Sequence, residues 1–250
     1  MKGILNLLPR PWLISLSIWF RPLIKRYYKG DRFTDPIDGS TYRRFLSYGY
    51  KTSRPNALCP GTLSLERHRL LWLYLKRKTT FLEDSLAVLH IAPEQVFYSK
   101  FKSFTHWDYT TTDLNSPLAD VKADICQLPF EDTSFDLIFC NHVLEHIPDD
   151  RKAMQELFRV LKSGGTLIAQ VPLKEDLKNT FEDNSITNKA KRTEIFGQYD
   201  HVRVYGMDYY TRLQNVGFKT KAIDFLKDLR PEEKRRFALP EAEKIPVATK

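Results

Sequence analysis

Cysteine is scarce in this chain. Its three thiols, Cys59, Cys126 and Cys140, are too few and too dispersed for a disulfide framework. The cytoplasm is the expected compartment. Long apolar runs are also missing. No stretch of about 18 uncharged apolar residues occurs, so no membrane-spanning helix is expected. Acid is locally absent: residues 1–30 carry six Lys or Arg and no Asp or Glu. The start of the chain is similar to a short signal segment. However, Arg10 between Pro9 and Pro11 splits the apolar run and no A-x-A site follows, so a cleaved leader is not expected.

What is present is enough for a packed domain. Hydrophobic residues make up 42 % and aromatics 13 % of 250 residues, which excludes a disordered chain. The net charge of +8 is unevenly spread. Residues 1–78 hold 16 basic against 4 acidic side chains, and residues 79–250 hold 23 against 27. The basic character therefore belongs to the first third. Three segments are expected: a basic extension (1–78), a larger domain (79–230) and a tail (231–250).

The extension begins with a dense apolar stretch from Trp12 to Ile24, followed by Lys25, Arg26 and Lys29. A helix over about 12–28 is expected. It either packs on the domain or lies on an anionic membrane surface through residues 1–30. No RNP-type or helix-turn-helix pattern supports nucleic-acid binding, and none is expected. Residues 31–61 read as loops and short strands, with Tyr42, Phe45, Tyr48 and Tyr50 either lining a pocket or anchoring the loops. Residues 63–78 read as a helix. Its Arg67, His68 and Arg69 are expected on a solvated face, with an acidic ligand as the alternative.

From residue 86 the pattern changes. LAVLHI (86–91), DYTTTD (108–113), the marginal ADVKAD (119–124), FDLIFC (135–140) and TLIAQV (166–171) read as strands. An amphipathic helix over 149–162 buries Met154, Leu157, Phe158 and Leu161, and Gly164-Gly165 is expected to end it. Residues 175–200 are polar, a long connection of the kind that becomes a lid; the lid-like segment is drawn over 175–206. A helix over 207–218 and a late strand follow. Alternating strands and helices imply an α/β, doubly wound, mostly parallel sheet.

Ligands of such sheets bind beyond the carboxyl ends of the strands. The first turn, His90-Ile91-Ala92-Pro93-Glu94, lacks the glycines that let backbone approach a nucleotide. The second strand ends in Asp113, an acid that suits a ribose diol. Asp124 opens a turn, either accepting from an exocyclic amine or capping that turn, and Ile125 beside it offers a surface for a purine ring.

Three segments carry a specific resemblance: TTTDL, ADICQLPFEDTSFDLIFCNHVLEHIPD and ELFRVLKSGGTLIAQVP. The stretch resembles class I S-adenosylmethionine-dependent methyltransferases of the small-molecule type, over about residues 86–226. The resemblance implies a seven-stranded Rossmann-like sheet, S-adenosyl-L-methionine as cofactor and a small-molecule acceptor. It implies that Asp113 and Leu114 lie at the ribose, and that Asp124 and Ile125 hold the adenine. It places Asn141 and His142 beside the methionine part. His90, Ala92, Pro93 and Glu94 fall in the cofactor loop, where the family has an acid at the position of His90 and glycines at those of Ala92 and Glu94. Glu94 is expected to compensate by meeting the cofactor's positive charge. The transfer is expected to be an in-line displacement onto an acceptor oxygen, nitrogen or carbon.

His142 and His201 are the expected bases for a hydroxyl acceptor, with His146 behind them. Asp200, His201, Arg203, Tyr205 and Tyr209 read as a polar pocket with aromatic walls. His142-Val143-Leu144-Glu145-His146 also matches the H-x-x-E-H pattern of inverted zinc peptidases. That chemistry needs a continuous helix and a third ligand. Pro148 limits the helix, so no metal is expected. Two other readings stand beside the transferase: a cofactor-binding domain without transfer activity, and a basic module for membranes or polyanions.

Overall fold

The computed structural model describes residues 22–49 and 53–250. Most of the expected amino-terminal helix, and Tyr50, lie outside the described residues; residues 22–28 are helical. The chain divides into two compact units. One runs to Tyr74 and includes Leu226–Ala242; the other is Leu75–Phe225 with Glu243–Lys250.

The larger unit is built on a seven-stranded sheet. Its strands are β1 (Leu86–Ile91), β2 (Trp107–Asp113), β3 (Val121–Lys122), β4 (Phe135–Phe139), β5 (Leu161–Ile168), β6 (Lys219–Ile223) and β7 (Ile245–Thr249). Their spatial order is β3-β2-β1-β4-β5-β7-β6. The first five pair in parallel, while β7 is antiparallel to both its neighbours. The expected doubly wound, mostly parallel sheet is therefore present. Val88, Leu89, Leu137, Ile138, Phe139, Leu167 and Ile168 are buried, as continuous apolar runs in central parallel strands require.

Helix α1 (Gln95–Lys102) follows β1, and α2 (Asp150–Val160) follows β4. The Asp149 side chain caps α2 by accepting from the Lys152 N–H at 3.0 Å. The helix buries Ala153, Met154, Leu157 and Val160 in the core; of the expected face, Phe158 is only partly buried and Leu161 is buried from β5 instead. It ends at Val160, ahead of the glycine pair, and β5 starts at once. Gly164 instead supplies a left-handed backbone (φ +79°) within the strand.

The expected tail at 231–250 is overturned. Ile245–Thr249 becomes β7, inserted between β5 and β6. Pro246 made this stretch unlike an interior strand, because proline lacks an N–H. It stands second in β7, and its carbonyl accepts from the Ala169 N–H at 3.3 Å. Pro231–Arg236 is a helix of the smaller unit.

In the smaller unit, Lys29–Thr34 pairs with Thr41–Tyr42, and Leu46–Tyr48 pairs with Arg54–Leu58. Phe33, Tyr42, Phe45 and Cys59 form its buried cluster, so Tyr42 and Phe45 anchor the loops while Tyr48 is exposed. The expected helix is present as Glu66–Lys78. Its solvated face is a second correction, because His68 and Arg69 are buried. Arg69 donates to the carbonyls of Ala57, Ser64, Phe237 and Ala238 at 2.6–3.1 Å. A guanidinium has five donors, so burial is tolerable only with such a set of acceptors.

Candidate active site

The carboxyl ends of β1, β2 and β4, with the turn after β3, bring the expected residues to one edge of the sheet. At the end of β1, Ala92 adopts φ +47°. The loop thus keeps the left-handed conformation for which glycine is usual, with a methyl group in its place. The Ala92 N–H donates to Thr112 O at 2.7 Å, which ties the turn to β2.

His90 is fully buried among the rings of Phe101, Tyr109 and Phe139. It cannot face a ligand, which corrects its expected place in the cofactor loop. Its Nδ1 lies 2.8 Å from the Tyr109 hydroxyl, and its Nε2 is 3.6 Å from Glu94 Oε2. Asn141 Nδ2 donates to the same Glu94 oxygen at 3.3 Å. Asn141 Oδ1 accepts from the Gln170 N–H. Asn141 thus links the ends of β4 and β5 to the β1 loop. Glu94, four residues after His90, thus places a carboxylate near that ring at the end of β1.

Asp113 Oδ1 accepts from the N–H groups of Asn115 and Ser116 at 2.7 and 2.6 Å. These bonds fix the carboxylate at the strand end. Leu114 is exposed beside it. Asp124 is exposed, with Oδ1 accepting from the Cys126 N–H at 2.8 Å. The capping reading of Asp124 is therefore realised, and its second oxygen is not used by that cap. Ile125 is buried in the core, which leaves little of its side chain to meet a ring.

Beyond β4 the backbone turns sharply. His142 has φ +55° and its N–H donates to Gln170 O at 2.7 Å. A non-glycine residue in that region is strained and marks a site worth inspecting. His142 Nδ1 lies 3.2 Å from Glu145 Oε1. Burial alone would raise the Glu145 carboxyl. The His142 hydrogen bond and charge outweigh it, and the group is held below its usual value. Leu144–His146 is a single 3-10 turn, not a continuous α-helix, so the peptidase pattern lacks the helix it requires.

The polar connection at 175–206 has two parts. Phe181–Glu182 pairs with Arg203–Val204, and a helix spans Lys189–Phe196. The exposed stretch ends at Asp200, whereas 201–206 is buried. Arg203 donates to the carbonyls of Leu144, Ile147 and Pro148 and to Glu182. The Tyr205 hydroxyl donates to Asp150 at 2.8 Å, and that of Tyr209 to Ala169 O at 2.7 Å. These side chains are core braces, which corrects the expected pocket with aromatic walls. His201 is held there too, its imidazole kept below the usual value first by burial, with Glu145 opposing.

Residues 84–169 match the family model described as a methyltransferase domain. Over that third of the chain the protein is similar to methyltransferases. An uncharacterized protein of Methanocaldococcus jannaschii is 44 % identical over 76 residues, covering 30 % of this chain and 33 % of that protein. A ubiquinone/menaquinone biosynthesis C-methyltransferase of Vibrio parahaemolyticus is 35 % identical over 78 residues, 30 % of each chain. The matches therefore span a third or less of these relatives' own lengths. Among solved structures, an S-adenosylmethionine-dependent methyltransferase from Mesorhizobium loti has a TM-score of 0.48 at 14 % identity, covering 72 % of this chain and 98 % of that one. The matched stretch holds every expected cofactor or base residue except His201, which the connection after β5 brings back to the 3-10 turn: the Val202 N–H donates to Glu145 O at 3.0 Å.

Proposed function

We propose that this chain transfers a methyl group from S-adenosyl-L-methionine to a small-molecule acceptor. The observation that carries this is the row of acids at the strand ends: Glu94 after β1, Asp113 ending β2 and Asp124 after β3. The residues fit the cofactor's chemistry. Asp113, pinned by two backbone N–H groups, accepts from a ribose diol. The Asp124 oxygen outside the cap accepts from an adenine amine. Glu94, held by Asn141, faces the ammonium or sulfonium charge. When bound, the cofactor supplies a methyl group activated by its sulfonium.

The chain's part is alignment and exclusion of water. For a hydroxyl acceptor, His142 is the base. Glu145 Oε1 beside its Nδ1 fixes the proton there and leaves Nε2 to take another. His201 is the second base candidate. A small-molecule acceptor is supported by the similarity to the Vibrio relative, a ubiquinone/menaquinone biosynthesis C-methyltransferase.

Calorimetry with S-adenosylmethionine tests the reading. Micromolar binding that weakens at least about 10-fold in Asp113→Ala is expected, since a charge-assisted hydrogen bond contributes about 1.5–3 kcal/mol. No heat at millimolar cofactor would overturn it. Binding without transfer of labelled methyl into any compound of a cell extract would favour a cofactor-binding domain without activity, the reading that Ala92 and Pro93 in the loop support.

A peripheral membrane contact through residues 1–30 is a separate proposal, supported by their basic and apolar composition. No described helix is long and apolar enough to cross a membrane. Co-sedimentation of the full chain with anionic vesicles, but not with neutral ones, is expected.

A further inference from the structure

Three side chains from two separate segments converge beside β4. A carboxylate oxygen of Glu145, a ring nitrogen of His146 and a ring nitrogen of His201 all lie within 4.8 Å of one another. Ligand atoms about 2.0–2.2 Å from a common metal ion are separated by roughly 3–4 Å, so a small inward rotation of the rings brings the set to bonding geometry. The two imidazole rings are perpendicular, with centroids 4.7 Å apart. They do not stack; the contact is edge to face.

The surrounding bonds prepare each group. His201 Nδ1 lies 3.2 Å from Phe196 O. A carbonyl only accepts, so Nδ1 carries the proton and Nε2 keeps its lone pair. This backbone orientation of a histidine is the usual outer support of a metal ligand. Glu145 is 2 % exposed. Its Oε1 is engaged by His142, whereas Oε2 is buried with no hydrogen-bond partner. An unsatisfied carboxylate oxygen in the interior is costly unless something of opposite charge meets it. Asp200 Oδ2, 3.5 Å from His146 Nδ1, adds a second carboxylate at the open side.

We propose that Glu145, His146 and His201 form a binding site for a first-row divalent transition-metal ion. Two imidazoles and one carboxylate are the donor set of such ions, while Mg²⁺ and Ca²⁺ favour oxygen-only shells. Three protein ligands leave coordination positions for water or for an oxygen of a bound molecule. That last role, holding an acceptor oxygen, rests on the methyl-transfer reading; the metal site itself does not.

The test is titration of the tag-free, full-length protein with Co²⁺, followed by calorimetry and by the visible d–d absorption of the bound ion. One equivalent is expected to bind. Glu145→Gln, His146→Ala and His201→Ala are each expected to weaken binding about 100-fold or more. His146 is partly exposed, so its variant is expected to disturb folding least, and circular dichroism verifies folding for all three. A tenfold excess of Mg²⁺ is expected to leave the spectrum unchanged. Absence of stoichiometric Co²⁺ binding, or binding unaltered in folded His146→Ala, would overturn the proposal; displacement by Mg²⁺ would overturn the assigned ion class. Calorimetry with S-adenosylmethionine on the same samples reads the transferase proposal separately, so either can fail while the other stands.

Discussion

Asn141 reaches across 47 positions of sequence to donate its amide to Oε2 of Glu94 at 3.3 Å. His90 Nε2 approaches the same oxygen from beneath, at 3.6 Å. The carboxylate is thereby held at the end of β1 although the strand itself contributes only a buried histidine. Removing the charge in Glu94→Gln is expected to weaken S-adenosylmethionine binding by about 10-fold, with little loss of stability. Asn141→Leu is expected to weaken it by a similar factor, through misplacement of Glu94. Calorimetry on folded variants measures both, and unchanged affinity in each would remove Glu94 from the site.

Ala92 occupies a left-handed backbone at φ +47°. An alanine there carries about 1 kcal/mol of strain that glycine does not. Ala92→Gly is expected to leave stability equal or raised by up to about 1 kcal/mol. Ala92→Val is expected to lower it by more than that, because a β-branched side chain is worse still in this region. Urea unfolding midpoints separate the two outcomes.

Arg69 is buried, and burial lowers its guanidinium to about 10, with Asp35, Cys59 and Glu66 opposing that shift. It remains charged at neutral pH and is bonded to four backbone carbonyls of the smaller unit. Arg69→Ala leaves those acceptors without donors, at an expected cost of about 3–5 kcal/mol. Limited proteolysis is expected to open the smaller unit in this variant, with cuts in Leu226–Ala242 appearing first. Protection equal to the parent would contradict the bracing role.

Glu156 is held below the ordinary carboxylate value, first by its hydrogen bond to Arg159, against a smaller opposing effect of burial. The Arg159 guanidinium also binds Asp132 and the carbonyls of Leu128 and Phe130. The folded state therefore takes up the Glu156 proton at lower pH than the unfolded chain. Its stabilisation is complete above the unfolded value of about 4.3 and is lost as pH falls through the folded one. Glu156→Gln is expected to be less stable than the parent at pH 7, with the gap narrowing below about pH 4. Urea midpoints from pH 7 to 3 measure this; a constant gap would show that the pair contributes no acid sensitivity.

Much of the sheet is legible along the chain. LAVLHI and FDLIF are short apolar runs, and burial on both faces of a central parallel strand demands such runs. Asp113 and Asp124 were readable because a strand end and its turn are local features. The Asp149 cap and the buried face of α2 are local as well. Arg69 was not legible: at helix spacing it looks like any solvated charge, and only the carbonyls of Phe237 and Ala238, far along the chain, make a buried site for it. His90 and Ile125 were misplaced for the same reason, since the depth of a side chain depends on what packs over it.

By itself, the sequence determined the parallel core, the order of its strands and helices, and the acids at the strand ends. Those properties follow from periodicity and turn chemistry within a few residues. Only the tertiary structure decided that Ile245–Thr249 inserts as β7, because strand pairing is non-local and Pro246 hides the pattern. It alone decided that Glu94 lies beside His90 and Asn141. It also brought His201, far along the chain, beside Glu145 and His146. Contacts of that kind are set by the packing of one segment against another, and no local preference of either segment encodes them.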